Sequence, residues 1–212
     1  MNVTLLRHTE APEELCGQAA ATCYESKNYA SALHHAVGSG HTSVLEHAVF
    51  TFKIEGLSRA ALAQLTRHRL ASFDVKSQRY VKVGKGEYVI PDSIVKAGMD
   101  TFVRNYLSQG EELYNQLIEA GVPAEDARFI TPQATTTDLV ITMNCRELLH
   151  FFSLRTCNRA QWEIRELADK MLKICKEKAP GIFENAGPGC VTGKCPELRP
   201  CRHPRSKEAW DE

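Results

Sequence analysis

The chain has 212 residues, 43% hydrophobic and 25% charged, which fits one folded unit and is too apolar for a disordered polymer. Lys plus Arg and Asp plus Glu both total 26, and this neutral balance argues against a generalised nucleic-acid or membrane-surface binder. No apolar run approaches the roughly 18 residues needed to cross a bilayer, and residues 1–7 lack the features of a signal peptide, so a cytoplasmic location is expected.

Residues 2–7 read as a short strand, and Pro12 to Tyr24 as a helix. Ala32 to Val37 continues helically until Gly38 and Gly40 stop it. From Ala48 to Glu55 the chain alternates, with Phe50, Phe52 and Ile54 on one face and Thr51, Lys53 and Glu55 on the other, as in a half-buried strand. Ser58 suits the N-cap of a helix from Arg59 to Thr66. Residues 74–82 read as extended, and Pro91-Asp92-Ser93 opens a long polar helix to about Ala120, ended by Gly121 and Pro123. Thr135 to Thr142 is β-branched and strand-like. Helices are then expected at Arg146 to Arg155 and Ala160 to Lys178. The second carries Ile164, Leu167, Ala168, Met171, Leu172 and Cys175 on one stripe. From Pro180 the chain is rich in Gly and Pro and reads as irregular. Helices and strands mix without βαβ alternation, so the class is α+β. One domain is expected over 1–185, with a Cys-, Pro- and Gly-rich tail over 186–212.

The segment from Gln64 to Tyr80 carries Arg67, His68, Arg69, Lys76 and Arg79 against a single acid, Asp74. Three consecutive cationic residues at a helix end cannot all point outward, because helical side chains fan round by about 100° each. A buried guanidinium needs an anion, and phosphate suits the arginine fork. Ser72, Ser77 and Gln78 add neutral donors for a ribose or a base. On spacing alone a solvated basic turn explains the run equally well.

Arg-His-Arg, seven residues, then Ser-x-Arg resembles the signature of the flavin-dependent thymidylate synthases. The likeness extends to Gly40-His41-Thr42-Ser43-Val44-Leu45-Glu46-His47 ahead of an aromatic strand, and to Gln64 before the signature. Asn144-Cys145-Arg146, Leu154-Arg155 and Ala160-Gln161-Trp162-Glu163-Ile164-Arg165 match the family's later motifs. One departure is Asp74-Val75, where many members carry Asn-Glu.

The resemblance implies a single compact domain of mixed helices around a central antiparallel or mixed sheet. It also implies reductive methylation of deoxyuridylate (dUMP) to thymidylate (dTMP). Methylenetetrahydrofolate would be the carbon donor, FAD the cofactor and NADPH the reductant. Arg165 is then the catalytic cation, polarising the uracil ring. Gln64, Arg67, Ser77, Gln78, Arg79 and Arg165 would hold dUMP. Ser43, Arg67, His68, Arg69, the backbone at Val75, Arg155 and Asn158 would hold FAD, with His41 and His47 near the ring. A homotetramer with flavin sites between subunits is implied as well, with small molecules as partners and neither nucleic acid nor membrane.

Two other classes fit the Arg-His-Arg turn: a nucleotide- or RNA-binding module, and a flavoprotein reductase without methyl transfer. The 8% aromatic content and the absence of a stacking ladder weigh against the module. In the tail, Cys190-x4-Cys195-x5-Cys201-x-His203 offers a zinc ligand set, but its spacing fits no knuckle pattern. The cysteines there are read as free thiols of a flexible tail, with no metal expected.

Overall fold

The computed structural model describes residues 1–81 and 87–210. Its centre is a four-stranded antiparallel sheet in the order β1-β2-β4-β3, formed by β1 (Asn2–His8), β2 (Val49–Ser58), β3 (Ala71–Val75) and β4 (Thr136–Asn144). The expected alternation sets its faces. Phe50, Phe52 and Ile54 of β2 are buried opposite Met143, Ile141 and Leu139 of β4. On the other face the Thr51 and Thr142 hydroxyls share a hydrogen bond of 2.9 Å. Between Ile54 and Leu57 the register shifts, and Gly56 adopts φ +74°, donating its N–H to Asp138 Oδ1 at 3.0 Å. A left-handed backbone at a bulge favours glycine there.

Helices α1 (Pro12–Tyr24) and α2 (Tyr29–Gly38) pack together at Gly17, where a Cβ would stand 2.7 Å from the Tyr29 carbonyl oxygen. A 3-10 turn over Thr42–His47 leads into β2, and α3 (Arg59–Leu65) follows it, capped by Ser58. The long helix expected over 91–120 is two helices, α4 (Asp92–Lys96) and α5 (Asp100–Glu119). Gly98 adopts φ +68° between them, a turn that interrupts the helical run. Helix α6 (Ala124–Ala127) and a 3-10 turn over Arg128–Ile130 precede β4.

Helix α7 (Cys145–Arg155) starts at Asn144, whose side chain accepts from the Glu147 N–H. Helix α8 (Trp162–Lys178) starts two residues later than expected, with Gln161 as its N-cap, and buries the whole expected stripe. The strand expected over 74–82 lies earlier, because Ala71 to Val75 pair with Met143 to Leu139 and the chain turns at Ser77 to Tyr80. Residue 82 lies outside the described residues.

Beyond Pro180 the chain holds two short helices, α9 (Pro180–Phe183) and α10 (Gly189–Thr192), and a final 3-10 turn at Lys207–Trp210. The tail is tied down where a flexible one was expected. Trp210 is buried, its Nε1–H donates to Asp169 Oδ1 at 2.8 Å, and the Arg205 guanidinium stacks on its ring at 4.6 Å. Residues 211–212 lie outside the described residues.

Candidate active site

Where α3 ends, the chain makes a tight turn in which the His68 N–H donates to the Leu65 carbonyl at 3.1 Å. Of the three consecutive cationic residues, the one that turns inward is His68, with 5% of its surface exposed, while Arg67 and Arg69 stay exposed. Its imidazole sits between two fixed partners. Nδ1 lies 2.8 Å from Glu147 Oε1, and the Arg155 Nε–H donates to Nε2 at 3.1 Å. Because Nε2 accepts, the proton of a neutral ring belongs on Nδ1 and is donated to Glu147. Burial pushes His68 below its ordinary value of 6.5, while the Glu147 carboxylate pulls the other way.

Around this trio lies a cleft of about 630 Å³, lined by Arg67, His68, Arg69, Leu70, Arg146, Glu147, His150, Leu154 and Arg155. Four arginines share it with one acid, and that acid is engaged by His68. Burial and the charge of Arg67 both depress Arg155, so an anion here would relieve a real electrostatic cost. Arg155 also donates to the Gln64 carbonyl at 3.3 Å, which aims the rest of its fork. Arg146 pairs with Glu46 of the Thr42–His47 turn at 2.5 Å, fixing the segment that carries Ser43.

On the other side of α3, a second cleft of about 470 Å³ is lined by Arg59, Leu62, Ala63, Thr66, Gln78, Arg128, Phe129, Thr131, Pro132 and Gln133. No acid lines it. Among the described residues, Arg59 Nε and Gln78 Nε2 are buried there without a hydrogen-bond partner. Unsatisfied buried donors of this kind are uncommon in folded proteins and fit a site shaped for an acceptor-rich ligand.

The sequence expectations therefore divide. Arg67, His68, Arg69 and Arg155 come together in the first cleft, and Gln78 lies in the second. Ser77 Oγ accepts from the Arg79 N–H at 3.2 Å, and the Arg79 side chain pairs with Glu125 at 2.5 Å. Ser43 is exposed on its turn, and Val75 ends β3. Two further expected residues lie outside both clefts. Arg165 lines neither; its Nη1 donates to the Asn158 and Ala160 carbonyls at 2.9 and 3.5 Å, at the loop before α8. Asn158 is turned toward the tail, donating to the His203 carbonyl at 2.6 Å. The cations also have more partners than Asp74, because Glu125, Asp138 and Glu147 reach them from other elements.

Sequence reasoning missed Glu147, Arg59 and Arg128. Asn144-x-x-Glu147 reads as a helix-capping pair, which hides the use of the carboxylate by His68. The buried thiols hold no nucleophile. Burial pushes Cys16 up to about 11, and raises Cys145 and Cys175 further still.

An α+β domain with two cation-lined clefts flanking one Arg-His-Arg turn defines a protein built to hold phosphorylated ligands. A family model described as thymidylate synthase complementing protein matches residues 4–181. The flavin-dependent thymidylate synthase of Geobacter sulfurreducens is 48% identical, over 93% of this chain and 91% of its own. That of Pyrococcus abyssi is 41% identical, over 99% and 96%. A crystal structure of the Helicobacter pylori enzyme, complexed with FAD and dUMP, superposes with a TM-score of 0.72 at 26% identity, over 88% of this chain and 100% of that one. The chain belongs to the flavin-dependent thymidylate synthase family.

Proposed function

We infer that the chain catalyses the reductive methylation of dUMP to dTMP, with FAD as cofactor, methylenetetrahydrofolate as carbon donor and NADPH as reductant. The observation that carries this reading is the pair of cationic clefts, one at the Arg67–Arg69 turn and one along α3. A diphosphate-bearing flavin fits the arginine-lined cleft at Arg67, His68, Arg69 and Arg155, and the family resemblance adds Ser43 and the Val75 backbone to its contacts. A nucleoside monophosphate fits the second cleft, where Arg59 Nε and Gln78 Nε2 lack partners, with Gln64, Ser77 and Arg79 close by in sequence. When bound, FAD supplies the hydride that completes the methyl group.

The residues of this chain do the rest. Uracil C5 is a weak nucleophile, and a fixed cation beside the ring favours charge at N3 and density at C5. The family resemblance assigns that task to Arg165, at the start of α8, and Arg155, held by Gln64 and His68 in the first cleft, then serves the flavin. The Asn158 and Ala160 carbonyls accept from the Arg165 Nη1 and brace it at that position.

Assembly into a homotetramer fits the same reading. Helix α5 buries only Leu107 and Tyr114 as hydrophobic side chains, while Phe102, Tyr106 and Leu113 are exposed. Among the described residues no helix is long and apolar enough to cross a membrane, and a cytoplasmic enzyme is the reading that follows from its substrates.

The test is spectroscopic and kinetic. The purified protein should bind FAD, and its NADPH oxidation should depend on dUMP. A protein that cannot be reconstituted with FAD overturns the reading. Oxidation of NADPH without dTMP formation reduces it to a flavin reductase.

A further inference from the structure

Four of the eight cysteines, Cys157, Cys190, Cys195 and Cys201, line one cavity of about 190 Å³. Cys157 comes from the loop after α7, and the other three come from the tail. All are half-buried free thiols. The tail is bent to bring them there. At Gly189 a Cβ would stand 2.5 Å from Pro196 Cδ and 2.9 Å from the Lys194 carbonyl oxygen, so the chain doubles back between Cys190 and Cys195. The tail is then bonded across the loop. Asn158 donates to the His203 carbonyl at 2.6 Å, Arg159 donates to the Arg199 carbonyl, and Arg205 donates to the Thr156 carbonyl at 3.1 Å.

We propose that this cavity is a closed tetrathiolate site for a zinc-like divalent cation, with Cys157, Cys190, Cys195 and Cys201 as its ligands. Zinc takes four thiolates in a tetrahedron with Zn–S near 2.3 Å, which sets the sulfurs about 3.8 Å apart. No three of these sulfurs lie within 4.8 Å of one another in the present structure, where His68, Glu147 and His150 form the one such group among the described residues. Binding would require rotation about the Cα–Cβ bonds to turn the four sulfurs into the cavity that these residues line. Each thiol that binds releases a proton to solvent, and the resulting site carries two net negative charges. Arg159 and Arg202 line the same cavity and offset them. The metal then fastens the tail to the loop that follows Arg155. The irregular spacing of the tail cysteines, which matches no knuckle, follows from the fourth ligand lying on the body of the domain.

The experiment uses the full chain, loaded with zinc under reducing conditions and desalted. Bound metal is measured by mass spectrometry, and the cysteines are counted by alkylation with and without zinc. The proposal expects about one zinc per chain. It also expects protection of Cys157, Cys190, Cys195 and Cys201, while the exposed Cys23 is alkylated in both states. Cobalt in place of zinc should give the thiolate charge-transfer band of a tetrahedral site, which Cys157→Ser and Cys195→Ser should each abolish. Absence of bound zinc, equal alkylation of the four cysteines in both states, or zinc retained by Cys195→Ser would each overturn the proposal. The alkylation arm uses the native sequence, so it stands even where a variant fails to fold.

Discussion

At the scale of single residues, two arginines carry separate expectations, Arg165 for the uracil ring and Arg155 for the flavin. Arg155 is braced by His68 and the Gln64 carbonyl inside the first cleft, whereas Arg165 is bonded to backbone carbonyls elsewhere. Losing one preorganised charge-stabilising donor costs about 10²–10³ in rate. Arg165→Ala should therefore lose that much dTMP formation, and Lys should rescue it poorly, because a point ammonium lacks the planar fork. Arg155→Ala should instead weaken FAD retention; in Arg165→Ala stopped-flow reduction of the flavin by NADPH should survive, and equal slowing of both half-reactions would make Arg165 structural. His68 sets a second expectation. Burial lowers its folded-state value below 6.5, so the unfolded chain binds the proton more readily. The contribution is fully present above pH 6.5 and is lost as pH falls toward the depressed folded value. Denaturant midpoints between pH 7 and 5 should drop more steeply in the native protein than in His68→Gln, and equal slopes would refute the assignment. The cationic turn was legible in the sequence, because Arg67-His68-Arg69 is a local run; Ser77 and Arg79 line neither cleft. Glu147 was not, since a carboxylate 79 residues away from His68 carries no local mark of the pairing.

At the scale of elements, Glu163 joins two helix starts. The Ser58 N–H and Oγ–H donate to its two oxygens at 2.7 and 2.5 Å, while Ser58 Oγ accepts from the Ala61 N–H at 3.0 Å and so caps α3. Both residues are buried, so removal of the carboxylate leaves the Ser58 donors without a partner. Glu163→Ala should cost about 2–4 kcal/mol in urea unfolding and Glu163→Gln clearly less, since an amide oxygen still accepts one bond. Equal midpoints for the native chain and Glu163→Ala would show that the tie is idle. Periodicity made the two ends of this tie readable, because the α8 stripe and the Ser58 cap are local signals. The break at Gly98 was hidden inside a polar stretch where no buried face marks helical phase. Strand β3 was misplaced because its register comes from pairing with β4 and from nothing within 71–82.

At the scale of the whole molecule, the apolar residues left outside the core locate the expected assembly. Met99, Phe102, Tyr106 and Leu113 follow helical spacing, and Phe102 and Tyr106 are 67% and 68% exposed. Phe102→Asp should yield a smaller particle by light scattering and retain less FAD, as expected if subunits complete the flavin site. An unchanged mass would remove α5 from the interface. The chain's zero net charge gave no hint of the two cationic clefts, because local excess is balanced elsewhere in the sequence. The product mixture reports on the chemistry itself. The FAD-loaded protein, given dUMP, methylenetetrahydrofolate and NADPH, should form dTMP with tetrahydrofolate in equal amount and consume NADPH to match, because the two electrons come from NADPH. Formation of dihydrofolate without NADPH consumption, or no dTMP from protein that holds both FAD and dUMP, would contradict it.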